Sequence, residues 1–196
     1  MSHPNDASHP ELVPSLPLWQ TNSSRIIAEN RILRLESHER HEPGTGRNGT
    51  FYIVNAPNWV NIIALTERDE ILLIEQFRHG SGAIELEIPG GTVDEGESAH
   101  DAMLRELTEE TGYELGPNSI YQQIGEVAPN PAFIQNRCTT FLATNIRPTG
   151  TTAFGEHENI RIRLHPRSEL DQLLRTGEIS HALVIAAIQW MRLAGY

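Results

Sequence analysis

Hydrophobic positions along the chain follow two periods. Short runs rich in β-branched residues read as strand, and apolar spacings of three and four read as helix. The first run, from Arg25 to Leu35, holds Ile26, Ile27, Ile32, Leu33 and Leu35 and predicts one strand. Turn-forming residues from Pro43 to Gly49 follow, and Thr50 to Val54 predicts the returning strand of a hairpin-like extension. Trp59 to Leu65 and Ile71 to Gln76 predict two strands joined by the polar turn Glu67 to Glu70, with a shorter strand from Ile84 to Ile88. Ser98 to Thr111 predicts a helix, because Ser98 with Asp101 makes a capping-box-like start and Gly112 stands where a left-handed residue closes a helix. Strands are expected again at Tyr121 to Val127, Cys138 to Ala143 and Ile160 to Leu164, followed by helices at Arg167 to Arg175 and Ser180 to Leu193. Strands and helices mix without strict alternation, which favours an α/β (α+β) fold with a mixed sheet and helices on both faces over a doubly wound parallel sheet. Pro4, Pro10, Pro14 and Pro17 make the start a loose arm anchored by Trp19. The expected organisation is an arm over residues 1–22, a β-hairpin extension over 23–57 and a main domain over 58–196.

Composition narrows the chemistry. The 196 residues carry 15 basic and 26 acidic side chains, a formal charge of −11, and every basic one is arginine. Without lysine the chain has no Walker-type phosphate loop, Schiff-base lysine or serine–lysine dyad, because guanidinium does not replace a titratable ammonium. The negative balance argues against a nucleic-acid partner, whose affinity needs cations facing phosphates. Cys138 is the sole cysteine, which excludes an intrachain disulfide and a cysteine-rich zinc site and makes the cytoplasm the simplest compartment. No charged-then-apolar leader precedes residue 20 and no apolar run is long enough for a bilayer, so neither a signal peptide nor a membrane partner is expected.

The acidity is concentrated. Between Gly91 and Tyr113 lie Asp94, Glu95, Glu97, Asp101, Glu106, Glu109 and Glu110 against Arg105 alone, more than half of the net −11 in 23 residues. At about 100° per residue, Glu106, Glu109 and Glu110 share one arc of the helix with Ala99 and Ala102, Met103 at its edge, while Leu104 and Leu107 lie to the other side to dock it. Like charges at helical spacing cost about 0.2–0.5 kcal/mol per pair, and a solvated face would interleave cations. Hard oxygen ligands beside small residues suit Mg²⁺ or Mn²⁺, which offset that repulsion and leave coordination sites for water and phosphates.

Gly91, Glu97, Arg105, Glu106, Leu107, Glu109, Glu110, Gly112 and Tyr113 reproduce G-x5-E-x7-R-E-U-x-E-E-x-G-U, with U bulky and apolar or aromatic. This segment, 91–113, resembles the Nudix hydrolase box at every fixed position. Chance matching of its single-residue positions at about 7% each gives an expectation on the order of 10⁻⁶ for the chain. The resemblance implies an α/β/α sandwich that hydrolyses a nucleoside diphosphate linked to another moiety. It implies that Glu106, Glu109 and Glu110 bind Mg²⁺ (or Mn²⁺) with the backbone carbonyl of Gly90 or Gly91, that Arg105 orients the carboxylates, and that Glu97 braces the loop or touches a metal-bound water.

Glu75-Gln76-Phe77-Arg78 and Glu87-Ile88-Pro89-Gly90-Gly91 look like the ADP-ribose pyrophosphatase branch of that family. The likeness implies substrate-binding roles for Arg78, Glu87 and Pro129, which stands sixteen positions past Tyr113. Glu156-His157-Glu158 resembles the branch's late acidic loop, with Glu156 as general base and Glu158 as a metal-side helper. The stretch Ala128-Pro129-Asn130-Pro131 departs from the Ser-Pro-Gly common in that branch, so GDP-mannose or another nucleotide sugar stands as an alternative to ADP-ribose, with Arg137 as a phosphate or sugar contact. A rival of another class is a non-catalytic Nudix sensor that binds a nucleotide sugar, and an isomerase reading would need a reactive Cys138. By analogy with the same branch, the N-terminal hairpin is expected to make a homodimer. Trp19 and Trp59 are assigned to packing ahead of base stacking, and Arg161 and Arg163 to a strand face that reaches either phosphate or solvent.

Overall fold

The computed structural model describes residues 16–150 and 159–196, and the chain divides into two units, Met1–Asn55 and Ala56–Tyr196. In the first unit β1 (Gln20–Glu29), β2 (Arg34–His41) and β3 (Asn48–Asn55) form an antiparallel meander. The single strand expected over Arg25–Leu35 is two strands. Asn30 breaks it, because its Oδ1 accepts the N–H groups of Ile32 at 2.8 Å and Leu33 at 3.0 Å and so reverses the chain locally. The apolar run concealed this turn, since a lone Asn between isoleucines carries no Gly or Pro beside it. Trp19 packs within this unit, edge-on to Phe51 at 5.2 Å between ring centroids, with the Arg47 guanidinium 5.8 Å from the indole centre.

The second unit is built on β4 (Trp59–Thr66), β5 (Glu70–Arg78), β6 (Ala83–Glu87), β7 (Gly90–Thr92), α1 (Ala99–Thr111), β8 (Tyr113–Leu115), β9 (Tyr121–Val127), β10 (Ile134–Gln135), β11 (Cys138–Pro148), β12 (Ile160–Pro166), α2 (Leu170–Thr176) and α3 (Ala182–Leu193). The central path runs β12-β5-β4-β11-β8, with β6 on β5, β7 on β4 and β9 on β11. β4 and β11 are parallel and the other pairings antiparallel, so the sheet is mixed as expected.

Strand alternation sorts the core into two layers. Val60, Ile62 and Ala64, with Leu72, Phe141 and Ala143, meet Ala102, Met103 and Leu107 of α1. Ile63, Leu65, Ile71, Leu73 and Leu142 face the other way, onto Leu170 and Leu173 of α2 and Val184, Ala187, Ile188 and Met191 of α3. Each fully buried Val, Leu, Ile, Phe or Met among them contributes about 1.5–3 kcal/mol. Helices therefore cover both faces. In α1 the docking arc is Ala102, Met103 and Leu107, whereas Leu104 is half-buried, so the seam lies closer to the carboxylates than the wheel placed it. Glu110 is drawn into that seam and is 3% exposed. On β9, Gly125 lets the Trp190 indole of α3 lie against the backbone; a Cβ there would overlap the ring. No helix of the described residues is long and apolar enough to cross a membrane.

Candidate active site

Helix α1 presents the acidic cluster, and its ends are set by the residues that announced it. The Ser98 Oγ accepts from the Asp101 N–H at 3.1 Å, and Gly112 closes the helix at φ 63° with its N–H on the Thr108 carbonyl. β4 holds β7 in register, with Asn61 opposite Gly90, Val60 opposite Gly91 and Trp59 opposite Thr92. This lays the Gly90–Gly91 backbone against the carboxylate face of α1.

Arg105 ties the cluster together. Its Nε and Nη2 donate to the two Glu97 oxygens, both at 3.0 Å, its Nη1 donates to Glu106 Oε1 at 2.7 Å and Glu109 Oε2 at 3.2 Å, and Nη2 also donates to the Thr92 carbonyl at 3.1 Å. The fork matches carboxylate geometry as an ammonium could not. Its hydrogen bonds to Glu97, followed by those to Glu106 and Glu109, raise the Arg105 pKa further above its ordinary value. In return the Arg105 guanidinium holds the Glu97 carboxyl below the usual range. Glu97 also accepts the Asp94 N–H at 3.2 Å, bracing the loop before the helix. Glu110 Oε2 accepts the Gly90 N–H at 2.9 Å. A Cβ on Gly91 would fall on the Glu106 carboxylate, and one on Gly90 would meet the Val60 carbonyl.

Among the described residues no three His, Cys, Asp or Glu side chains converge in a ready-made metal cage. The donor set nonetheless fits a hard divalent cation: Glu106, Glu109 and Glu110 are oxygen donors on one helix, and the missing side chain of Gly91 lets the Glu106 carboxylate lie against the β7 backbone, where Glu110 also stands. Arg105 already bridges two of those carboxylates as one positive charge.

Beside the cluster, a cavity of about 490 Å³ opens between β4, the β5–β6 hairpin and the start of α3, lined among others by Trp59, Asn61, Arg78, Glu87, Gly90 and His181. Arg78 meets the buried Glu87 in a two-point pair, Nε to Oε1 at 2.7 Å and Nη2 to Oε2 at 3.0 Å, with His181 Nε2 4.0 Å from Glu87 Oε2. Two of the four residues assigned to substrate, Arg78 and Glu87, thus line the cavity as a mutual pair. Pro129 and Arg137 do not line it; Arg137 lies 3.8 Å from Glu126. Glu156 and Glu158 lie outside the described residues. Arg163 and Arg161 are taken by Glu75, at 2.8 and 3.8 Å, as cross-strand ion pairs. Trp59, assigned to packing, lines the cavity instead. Burial, reinforced by Glu126, pushes the Cys138 thiol up to about 12, which makes it a poor nucleophile near neutral pH.

Asn61 and His181 escaped the reading of the sequence. Asn61 had a signal, a polar side chain inside the apolar run Trp59–Leu65. His181 had none, since nothing in its spacing distinguishes it from the other histidines.

A family model described as the NUDIX domain matches residues 57–188. The chain is 28% identical over 172 residues to an ADP-ribose pyrophosphatase of Mycobacterium tuberculosis, spanning 87% of this chain and 81% of that protein. It is 30% identical over 191 residues to an ADP-sugar pyrophosphatase of Mus musculus, spanning 85% and 82% respectively. A crystal structure described as an ADP compounds hydrolase superposes with a TM-score of 0.80 at 21% identity, covering 91% of this chain and 95% of that one.

Proposed function

Because the chain belongs to the Nudix family, we propose that it is a divalent-cation-dependent pyrophosphohydrolase. It cleaves the diphosphate of ADP-ribose or a related nucleoside diphosphate sugar, releasing a nucleoside monophosphate and a sugar phosphate. The observation that carries this reading is the complete acidic box gathered around Arg105 with Glu110 tied to the Gly90 N–H.

Glu106, Glu109, Glu110 and the Gly90 carbonyl would hold Mg²⁺ or Mn²⁺, which would supply charge neutralisation at the diphosphate and ease deprotonation of water. Arg105 and Glu97 orient the carboxylates and hold the loop. Glu156 accepts the proton of the attacking water, whose oxygen forms the new bond to phosphorus as the bridging P–O bond breaks and its electron pair leaves on the departing phosphate. Glu158 assists on the metal side. Arg78 and Glu87 position the substrate, with Pro129 and Arg137 shaping the loop beyond. The reading extends to a homodimer, supported by Ile26, Ile27, Ile32, Phe51 and Tyr52 exposed on the first unit. It also extends to the cytoplasm, where a lone free thiol at Cys138 persists, and to no nucleic-acid partner.

The test is turnover by the full chain with Mg²⁺ or Mn²⁺ against ADP-ribose, GDP-mannose, UDP-glucose and diadenosine polyphosphates, reading monophosphate release. Glu110→Gln keeps an acceptor for the Gly90 N–H, so it is expected to preserve the melting transition while turnover drops at least about 100-fold. Near-normal turnover in both Glu109→Gln and Glu110→Gln would remove the cation assignment.

A further inference from the structure

Two buried polar atoms on the wall of the cavity lack partners among the described residues: Asn61 Oδ1 and His181 Nδ1. Asn61 is 6% exposed and sits in the middle of β4, directly opposite Gly90, where its neighbours Val60, Ile62 and Ile63 are apolar core. By strand alternation it shares the face of Ile63, the face covered by α3, and His181, just before that helix, and Val184 in its first turn line the same cavity. A strand interior gains nothing from an amide there. A leucine would fill the place without stranding an oxygen, so the amide is explained by a partner that arrives from the cavity.

The chemistry of that partner follows from the atoms. A carbonyl oxygen of an amide only accepts, and phosphate oxygens at neutral pH also only accept, so the diphosphate does not satisfy Asn61 Oδ1. Arg78, the cation on the same wall, is already in a two-point pair with Glu87. Of the remaining lining Trp59, Ile88, Leu183 and Val184 are apolar, and Ser81, Glu85 and Thr92 are polar without being cationic. Such a wall suits an uncharged ring that presents a hydroxyl or N–H.

We propose that Asn61, with His181 beside it, is a specificity-determining residue that hydrogen-bonds an uncharged donor group of the substrate, a hydroxyl of its sugar or an N–H of its base. The inference rests on the nucleoside diphosphate sugar reading above and adds which residue discriminates among such substrates. Gly90 and Gly91, against which Glu110 and Glu106 stand, line the same cavity as Asn61, so a mismatch at the group it reads shifts a substrate that shares that cavity.

The experiment measures calorimetric binding to the full chain without divalent cation, so that nothing is hydrolysed. One panel varies the base at constant sugar (ADP-glucose, GDP-glucose, UDP-glucose). A second varies the sugar at constant base (ADP-ribose, ADP-glucose, ADP-mannose), and inorganic pyrophosphate is the control. Asn61→Leu is expected to weaken the preferred ligand about 10- to 100-fold, to leave pyrophosphate unchanged and to flatten the preference in one panel. The flattened panel identifies the base or the sugar as the group read. His181→Gln, and Asn61→Thr should the leucine variant fail to melt cooperatively, give the same readout. Preference ratios within about twofold of the parent in both panels, an equal loss for pyrophosphate, or a parent protein that binds no panel member better than pyrophosphate overturns the inference. Turnover with Mg²⁺ separates the two readings. A parent that binds selectively but cleaves nothing defeats the enzyme and leaves Asn61, while intact cleavage with no effect at Asn61 does the reverse.

Discussion

Gly91 lacks a side chain because the Glu106 carboxylate occupies the place where one would go. Gly91→Ala must displace that carboxylate or the β7 backbone, and a shift of an ångström at a reacting centre costs about 100-fold. The expected outcome is a fall in kcat of that order with a nearly unchanged melting temperature; full activity would show that Glu106 works from another position. The charged part of the site was legible because its residues follow one another on a single helix, so spacing alone gathers them. Asn61, Arg78, Glu87 and His181 come from three strands and the start of a helix, and only folding brings them to one wall. The sequence marked Arg78 and Glu87 separately as substrate contacts but held nothing about their being each other's partners.

At the scale of the element, α1 runs against its own electrostatics. Glu109 and Glu110 sit in the last turn, where no basic residue stands and the helix dipole is negative. A helix so burdened depends on its start. Ser98 Oγ accepts the Asp101 N–H and donates to Asp101 Oδ2 at 2.7 Å, so Ser98→Ala removes both. The expected loss is about 1 kcal/mol, a drop in melting temperature of roughly 2–4 °C by calorimetry; an unchanged transition would show that packing of Met103 and Leu107 alone holds the helix. The strands β4 to β6, β9, β11 and β12 were readable from β-branched runs, and α1 from its caps, whereas the two-residue β10 was not. β7 and β8, three residues each, were not, because Gly90–Thr92 and Tyr113–Leu115 acquire strand geometry only by pairing with β4 and β11. Tertiary hydrogen bonding, not local preference, makes them.

For the whole molecule the lysine-free surface has one clear consequence in acid. Hydrogen bonds and cationic neighbours hold several carboxyls below their ordinary values: Glu36 through His38, Glu42 through Thr45 and Arg47, Glu75 through Arg163, and Glu97 through Arg105. A group whose folded pKa is depressed contributes stability that is present above its unfolded pKa of about 4.3 and is lost as pH falls through the folded value. The melting temperature is therefore expected to hold from neutrality to about pH 5 and to fall steadily below it; a flat profile down to pH 3 would show that these pairs contribute nothing. The Arg105 fork also separates two events that many metalloproteins merge. Where a fold is assembled by its ion, a chelator unfolds it. Here a resident guanidinium already knits Glu97, Glu106 and Glu109, so the chain can mature before it is loaded. EDTA is expected to abolish turnover while leaving a cooperative unfolding transition, and restored Mg²⁺ to return activity without refolding. A chain that behaves so would be stored empty and switched on by the ion alone.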